Sequence, residues 1–215
     1  MATLLRLCVF WLLTAAALPV AAAGVIFQQV TAADYQLARK VARACTAATT
    51  FPGHQQAGRL TIPTSAGPLV LQDQAIGETE VAQGLSEDQE THYTYRGYLL
   101  HFQRHLVEVT RYETTEWWLI AENGRRLTSW GPPVYAPDQN SIVTISAGLD
   151  YSGGQPNAVQ LFQLKNGLLQ KVWETRPTTW EPQDIFWASS RVLYLKRTAY
   201  SGSPGSVSYW KLTIT

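Results

Sequence analysis

The sequence predicts a mainly β protein with one N-terminal helix, built from antiparallel meander repeats. Three observations carry this. Trp130-Gly131-Pro132 is followed by the apolar run Ile142-Val143-Thr144-Ile145, and Trp180-Glu181-Pro182 by Val192-Leu193-Tyr194-Leu195. The two copies lie about 50 residues apart, a period typical of stacked or radially arranged supersecondary units. Asn-Gly occurs at Asn123-Gly124 and again at Asn166-Gly167, each between apolar runs, the strongest short-range hairpin signal.

Residues 1–23 read as a signal peptide. Arg6 gives a weakly basic start, Leu7 to Val20 is apolar apart from Thr14, and Ala21-Ala22-Ala23 precedes Gly24 as the expected mature start. The apolar run is short for a transmembrane anchor and lacks a basic flank on its far side. The expectation is a periplasmic or secreted chain with no membrane anchor after cleavage. Cleavage removes Cys8 and leaves Cys45 alone, so no internal disulfide can form and the core must hold the fold. The chain carries 17 Lys+Arg and 16 Asp+Glu. Loss of Arg6 makes the remainder formally neutral, without the electrostatic footprint of a nucleic-acid binder.

Residues 24–53 form a helical segment. Thr31 and Asp34 have capping-box spacing, and Val30 and Tyr35 flank the cap in staple positions. Leu37, Val41 and Cys45 recur every four residues and predict a buried stripe. Arg39, Lys40 and Arg43 lie elsewhere, as a solvated face. Residues 54–91 comprise a β-hairpin and an acidic loop. Leu60-Thr61-Ile62 and Leu69-Val70-Leu71 flank Ser65-Ala66-Gly67-Pro68. The stretch from Asp73 to Glu90 has no Lys or Arg and fits no calcium-loop pattern. Residues 92–215 hold three repeats, with 24–215 expected as one domain.

The first repeat predicts strands at 98–102, 105–111, 116–121 and 125–130. The second predicts 133–136, 141–147, 158–164 and 168–174, and the third 184–187, 191–197 and 207–213. The third stops where its fourth strand is due. Four antiparallel strands per unit, the recurring turn and the missing strand resemble β-propeller blades over roughly residues 95–215. Tyr135-Ala136-Pro137-Asp138-Gln139-Asn140 is similar to the Ser-Pro-Asp-Gly corner of many periplasmic propeller repeats, with Ala136 and Gln139 as departures. By analogy with closed propellers, residues 59–63 or 69–72 would supply the strand missing after Thr213. A β-sandwich of meanders is the alternative, and an open sheet edge would favour self-association.

Catalytic and cofactor motifs are absent from the sequence: there is no Gly-x-Ser-x-Gly, His-Glu-x-x-His or phosphate-loop pattern. His101 and His105 read as polar residues beside a turn rather than metal ligands, and Cys45 as a buried thiol. The loop Asp150 to Asn157 and its counterpart Tyr200 to Gly205 share Tyr-Ser-Gly, placing Asp150, Tyr151, Asn157 and Tyr200 on one rim of the repeats, where such architectures bind. Trp117 and Trp118 must point to opposite faces of their strand, and Trp118 is a candidate aromatic binding residue. These features predict a non-enzymatic binding or assembly module of the cell envelope, recognising protein or glycan. A glycan-active hydrolase using Asp150, Glu113 or Glu116 is the alternative, and an inhibitor or structural accessory protein a third reading.

Overall fold

A computed structural model describes residues 24–86, 89–149, 154–201 and 203–215. The chain opens with β1 (Val25–Val30) and α1 (Ala32–Val41), then β2 (Thr49–Thr50), β3 (His54–Gln56), β4 (Arg59–Ile62), β5 (Leu69–Gln72) and a short α2 (Glu78–Ala82). The first repeat follows as β6 (Thr91–Leu99), β7 (Arg104–Arg111), β8 (Thr115–Ala121) and β9 (Arg126–Ser129). The second comprises β10 (Val134–Tyr135), β11 (Ser141–Ser146), β12 (Ala158–Lys165) and β13 (Leu168–Thr175). The third comprises β14 (Trp180–Ser189), β15 (Val192–Tyr200) and β16 (Pro204–Ile214). The protein is thus mainly β, with two helices rather than one among the described residues. The second helix lies within the acidic stretch expected to be a loop, where the Glu80 side chain accepts a bond from the Gly77 N–H at 3.1 Å.

Among the described residues, the strands form four antiparallel sheets, ordered β3-β4-β5, β2-β6-β7-β8-β9, β10-β11-β12-β13 and β1-β16-β15-β14. Strand alternation packs each sheet against the next. In the first repeat, Val107, Val109, Trp118 and Ile120 meet Leu60 and Ile62 of the hairpin sheet. Leu106 and Leu119, on the opposite face, meet Ile142, Phe162 and Leu169 of the second repeat. Val143, Val159 and Leu161 then turn toward Ile185, Trp187, Leu195 and Leu212 of the third. A sheet covered on both faces needs consecutive apolar residues, so Ile142-Val143 and Leu161-Phe162 are runs rather than alternations.

The third sheet does gain a fourth strand from the N-terminal region, but from β1. Val25 pairs with Ile214, Phe27 with Leu212 and Val30 with Tyr209. The expected donors, residues 59–63 and 69–72, instead pair with each other as β4 and β5. The cause is where each strand can bury its apolar face. Leu60 and Ile62 are fully buried against the first repeat, whereas Val25 and Phe27 join the core of the third.

Helix α1 begins with the predicted box: Asp34 N–H donates to Thr31 Oγ1 at 3.1 Å, and Thr31 N–H to Asp34 Oδ2 at 3.3 Å. Its buried side is not the predicted one. Leu37 and Val41 are 65% and 72% exposed, and Tyr35 is buried. Tyr35 packs 4.8 Å from Tyr209 and 5.2 Å from Phe186, and its hydroxyl donates to Asp184 Oδ2 at 2.5 Å. The Tyr35 ring and its part-buried hydrogen bond orient the helix together with Arg39. Arg39, expected on a solvated face, pairs with Asp184 at 3.3 Å and lies over the Phe186 ring, and the aliphatic stripe faces outward. The helix ends at Ala42, so Cys45 lies beyond it and is partly exposed. The chain continues to β2, which covers the β6 edge through Thr49–Leu99 and Thr50–Tyr98. Gly97 permits this close approach: its φ is +107°, and a Cβ there would meet Thr49 Cγ2 at 2.3 Å.

The two Asn-Gly dipeptides make different turns. Asn166 and Gly167 both take positive φ (51° and 74°) between directly abutting strands, a two-residue hairpin. At Asn123-Gly124 only Gly124 does, and the loop is longer, closed by Gly124 N–H to Ala121 O at 2.8 Å. Gln139, at the glycine position of the corner motif, takes the left-handed conformation itself (φ 56°), as does Gln103 (φ 50°) in the corresponding turn of the first repeat. Among the described residues, no helix is long and apolar enough to cross a membrane.

Replacing Phe27 by Ala should cost about 2 kcal/mol, because it removes an aromatic side chain from the seam that completes the third sheet. Ile26→Ala on the exposed face of the same strand should stay within about 0.5 kcal/mol. Urea unfolding of the two variants measures the difference; equal losses would mean that β1 is not held through its inner face.

Candidate functional site

The connections that follow β7, β9 and β13 meet the described ends of the β11–β12 loop at one rim of the sheets. Asp150 and Tyr151 lie outside the described residues. The described ends of their loop are held by side chains that bond to the backbone of neighbouring sheets. Gln155 Oε1 accepts from the Thr115 N–H at 2.9 Å, while its Nε2 donates to Thr115 O at 3.1 Å, Trp130 O at 2.7 Å and Ser146 Oγ at 2.9 Å. The amide thereby imitates a strand partner for the edge of the first repeat. Buried Asn157 donates through Nδ2 to Pro177 O at 2.6 Å and Trp180 O at 2.8 Å. Glu181, also buried, accepts from the Leu149 N–H at 2.5 Å. The two arms of the loop cross so closely that a Cβ on Gly148 would lie 1.8 Å from Gln155 O.

These bonds give the Asn157 Nδ2 a fastening role, while its Oδ1 is buried without a hydrogen-bond partner. Trp118 is likewise spent inside the protein. It is 5% exposed, its Nε1 donates to Glu116 Oε2 at 2.8 Å, and the Arg126 guanidinium lies 4.0 Å over its ring. Trp117 faces the second repeat, so the predicted opposition of the two rings is present, with both packed against core clusters. Glu116 also pairs with Arg111. Tyr200 stands at the rim, at the end of β15, where its N–H donates to Thr179 O at 2.8 Å.

Beside Tyr200 the structure assembles a cluster that the sequence reading did not single out. Arg197 lies between two indoles, its guanidinium carbon 3.9 Å from the Trp210 ring centroid and 4.9 Å from that of Trp180. Arg197 Nε and Trp210 Nε1 both donate to Ser208 Oγ, at 3.2 and 3.0 Å. Burial pushes the Arg197 guanidinium below its usual value, yet among the described residues it has no carboxylate partner. Phe27 extends the aromatic surface, 6.4 Å from Trp210 and 5.9 Å from Trp173. All three members of the stack are partly exposed. Trp180 was visible as a repeat marker, but its stacking on Arg197 depends on cross-strand register and has no linear signature.

The histidines take structural positions. His105 is 2% exposed, and its Nδ1 lies 2.9 Å from Tyr95 Oη. The Tyr95 hydroxyl accepts from the Gly53 backbone, and the other His105 nitrogen donates to the Pro63 carbonyl. Burial lowers the pKa of this ring, against the bond to Pro63 and the charge of Glu122, which raise it. His101 is in the turn before β7, and no group of three or more metal-binding side chains occurs among the described residues. A second polar knot lies between the first two repeats. Gln160 Oε1 accepts from the Trp130 N–H at 2.9 Å and from Thr144 Oγ1 at 3.2 Å, while its Nε2 donates to Glu174 Oε2 at 3.1 Å. Burial alone would raise the Glu174 carboxyl, but hydrogen bonds from Lys171, Arg176 and Gln160 outweigh it and hold the group at about 2.

Compared with protein-family models, curated proteins and solved structures, the chain matches none of them.

Gln155→Ala should destabilise the protein by about 2 kcal/mol, since buried backbone groups at Thr115 and Trp130 lose their partners; thermal unfolding tests this, and a change under about 0.5 kcal/mol would remove the fastening role. Because the folded pKa of Glu174 lies below its ordinary 4.5, its contribution to stability is complete above that value and lost as pH falls through about 2. Glu174→Gln should therefore flatten the acid limb of the stability-pH curve, as followed by denaturant midpoints.

Proposed function

We propose that the chain is an exported, non-enzymatic binding module of the cell envelope that recognises a protein or glycan partner at the rim of its repeated sheets. The observation that carries this reading is the Trp180–Arg197–Trp210 stack. Two partly exposed indoles hold a cation with no acidic partner among the described residues, beside the Tyr-Ser-Gly loop that ends β15. Indole faces suit the C–H faces of sugars and the side chains of peptides, and a fixed guanidinium adds directional donors. The same reading takes the four sheets as blade-like units arranged in an arc, with β1 completing the last one. Recognition loops on a rigid scaffold are the usual division of labour, and the Gln155, Asn157 and Glu181 bonds supply that rigidity.

The hydrolase reading has less support. Glu116 is engaged by Arg111 and Trp118, and the stack offers aromatic and cationic contact rather than a second carboxylate. The test is retention of the full chain on insoluble envelope glycan and capture of protein partners from an envelope extract. Trp210→Ala should weaken retention or capture about tenfold while leaving the fold intact by circular dichroism. Unchanged retention and capture would remove the stack from recognition, and turnover of glycan by the wild type would replace binding by hydrolysis.

A further inference from the structure

On the opposite rim, a groove of about 390 Å³ separates the Asn123-Gly124 turn of the first repeat from the start of β13 in the second. Arg104, Asn123, Arg125, Leu169, Gln170 and Lys171 are among its walls. Arg104 pairs across the sheet with Leu99 and Ala121, on the face whose other members pack against the second repeat. Its stem is therefore held between two sheets. Its Nε is buried and has no hydrogen-bond partner. A buried charged donor without an acceptor is costly, and in native proteins it usually marks a water or ion.

Arg125 lies close enough to repel it, and burial together with this second charge pushes the Arg104 guanidinium below its usual value. Neither arginine has a carboxylate partner among the described residues. Lys171 is balanced by Glu174, and Arg126, which also lines the groove, has its guanidinium over the Trp118 ring. The groove therefore carries at least two cations without a carboxylate partner among the described residues, on planar forks suited to tetrahedral or planar oxyanions.

We propose that this groove is an oxyanion site for a phosphate group, held between Arg104 and Arg125 with Lys171 at its edge. A phosphate monoester carries about −1.5 to −2 charge at neutral pH, which matches two free guanidinium groups better than a single carboxylate does. The phosphate oxygens face the Arg104 and Arg125 side chains on the groove wall and the solvent-side opening. The volume leaves room beside the phosphate for a small attached group. The site is separate from the Trp180–Arg197–Trp210 stack, so either can fail without the other.

The experiment is calorimetric titration of the full chain with inorganic phosphate at constant ionic strength, with chloride as the reference anion. Arg104→Gln and the exposed-site variant Arg125→Gln should each weaken phosphate binding at least about tenfold, while Lys40→Gln, which removes a charge elsewhere, should not. Glucose 6-phosphate and vesicles of phosphatidylglycerol in phosphatidylcholine form the two further arms. Tighter binding of the sugar phosphate than of free phosphate assigns the group to a soluble ester, and cosedimentation with the vesicles assigns it to a lipid headgroup. No phosphate binding by the wild type, or equal binding by both arginine variants, would overturn the site. Retention on glycan or capture of a protein under those conditions would show the rim reading surviving without it.

Discussion

The structure depends on keeping sheet edges and faces covered, with Cys45 free of any disulfide among the described residues. Each four- or five-stranded unit has apolar faces to bury and edges of unpaired backbone to cover. The pairing of β1 with β16 resolves the last of these. It joins residues near the described start to the end of the chain, with Thr215 N–H donating to Gly24 O at 3.0 Å. It also sets Phe27 against Trp173 and Trp210. The segment after β1 then protects inner strands: α1 packs on β14 and β16, and β2 pairs with β6. One N-terminal stretch thereby ties the third sheet to the first.

Polar side chains complete what apolar packing begins. Neighbouring sheets share no backbone ladder, so buried backbone groups where strands end need other partners. Gln155 serves the first and second repeats, Asn157 and Glu181 the second and third, and Gln160 the knot around Trp130. Each bond is worth little net, but leaving its partner unmade in the interior is expensive. This explains why amide residues in a loop that looks like a binding loop are fastened inward. Arg197 on one rim, and Arg104 with Arg125 on the other, have no carboxylate partner among the described residues.

Much of the β architecture was legible because hairpins are local. Apolar runs, Asn-Gly turns and the Trp-x-Pro register mark strands whose partners are the next strands along the chain. The capping box at Thr31 was legible for the same reason. The helix stripe was misleading because periodicity reports a side that can be buried, without saying what will cover it. Tyr35 has Phe186, Tyr209 and Asp184 to meet, while Leu37 and Val41 stand exposed on the wall of a groove shared with Val192 and Tyr194. The donor of the last strand was misassigned because both hairpin strands and β1 have strand-forming sequences, and the choice between them is made by distant faces.

The sequence by itself determined the class, the repeat spacing, the positions of most strands and the turns between them, since these follow from propensities and periods acting over a few residues. Tertiary structure alone decided which N-terminal strand completes the third sheet, which face of α1 is buried, and which polar side chains fasten sheets rather than face solvent. It also decided that Arg197 would sit between Trp180 and Trp210, and that Arg104 would lie beside Arg125 with a buried Nε left unpaired. These outcomes turn on cross-strand register and sheet stacking, which bring together residues far apart in the chain and have no counterpart in any local pattern.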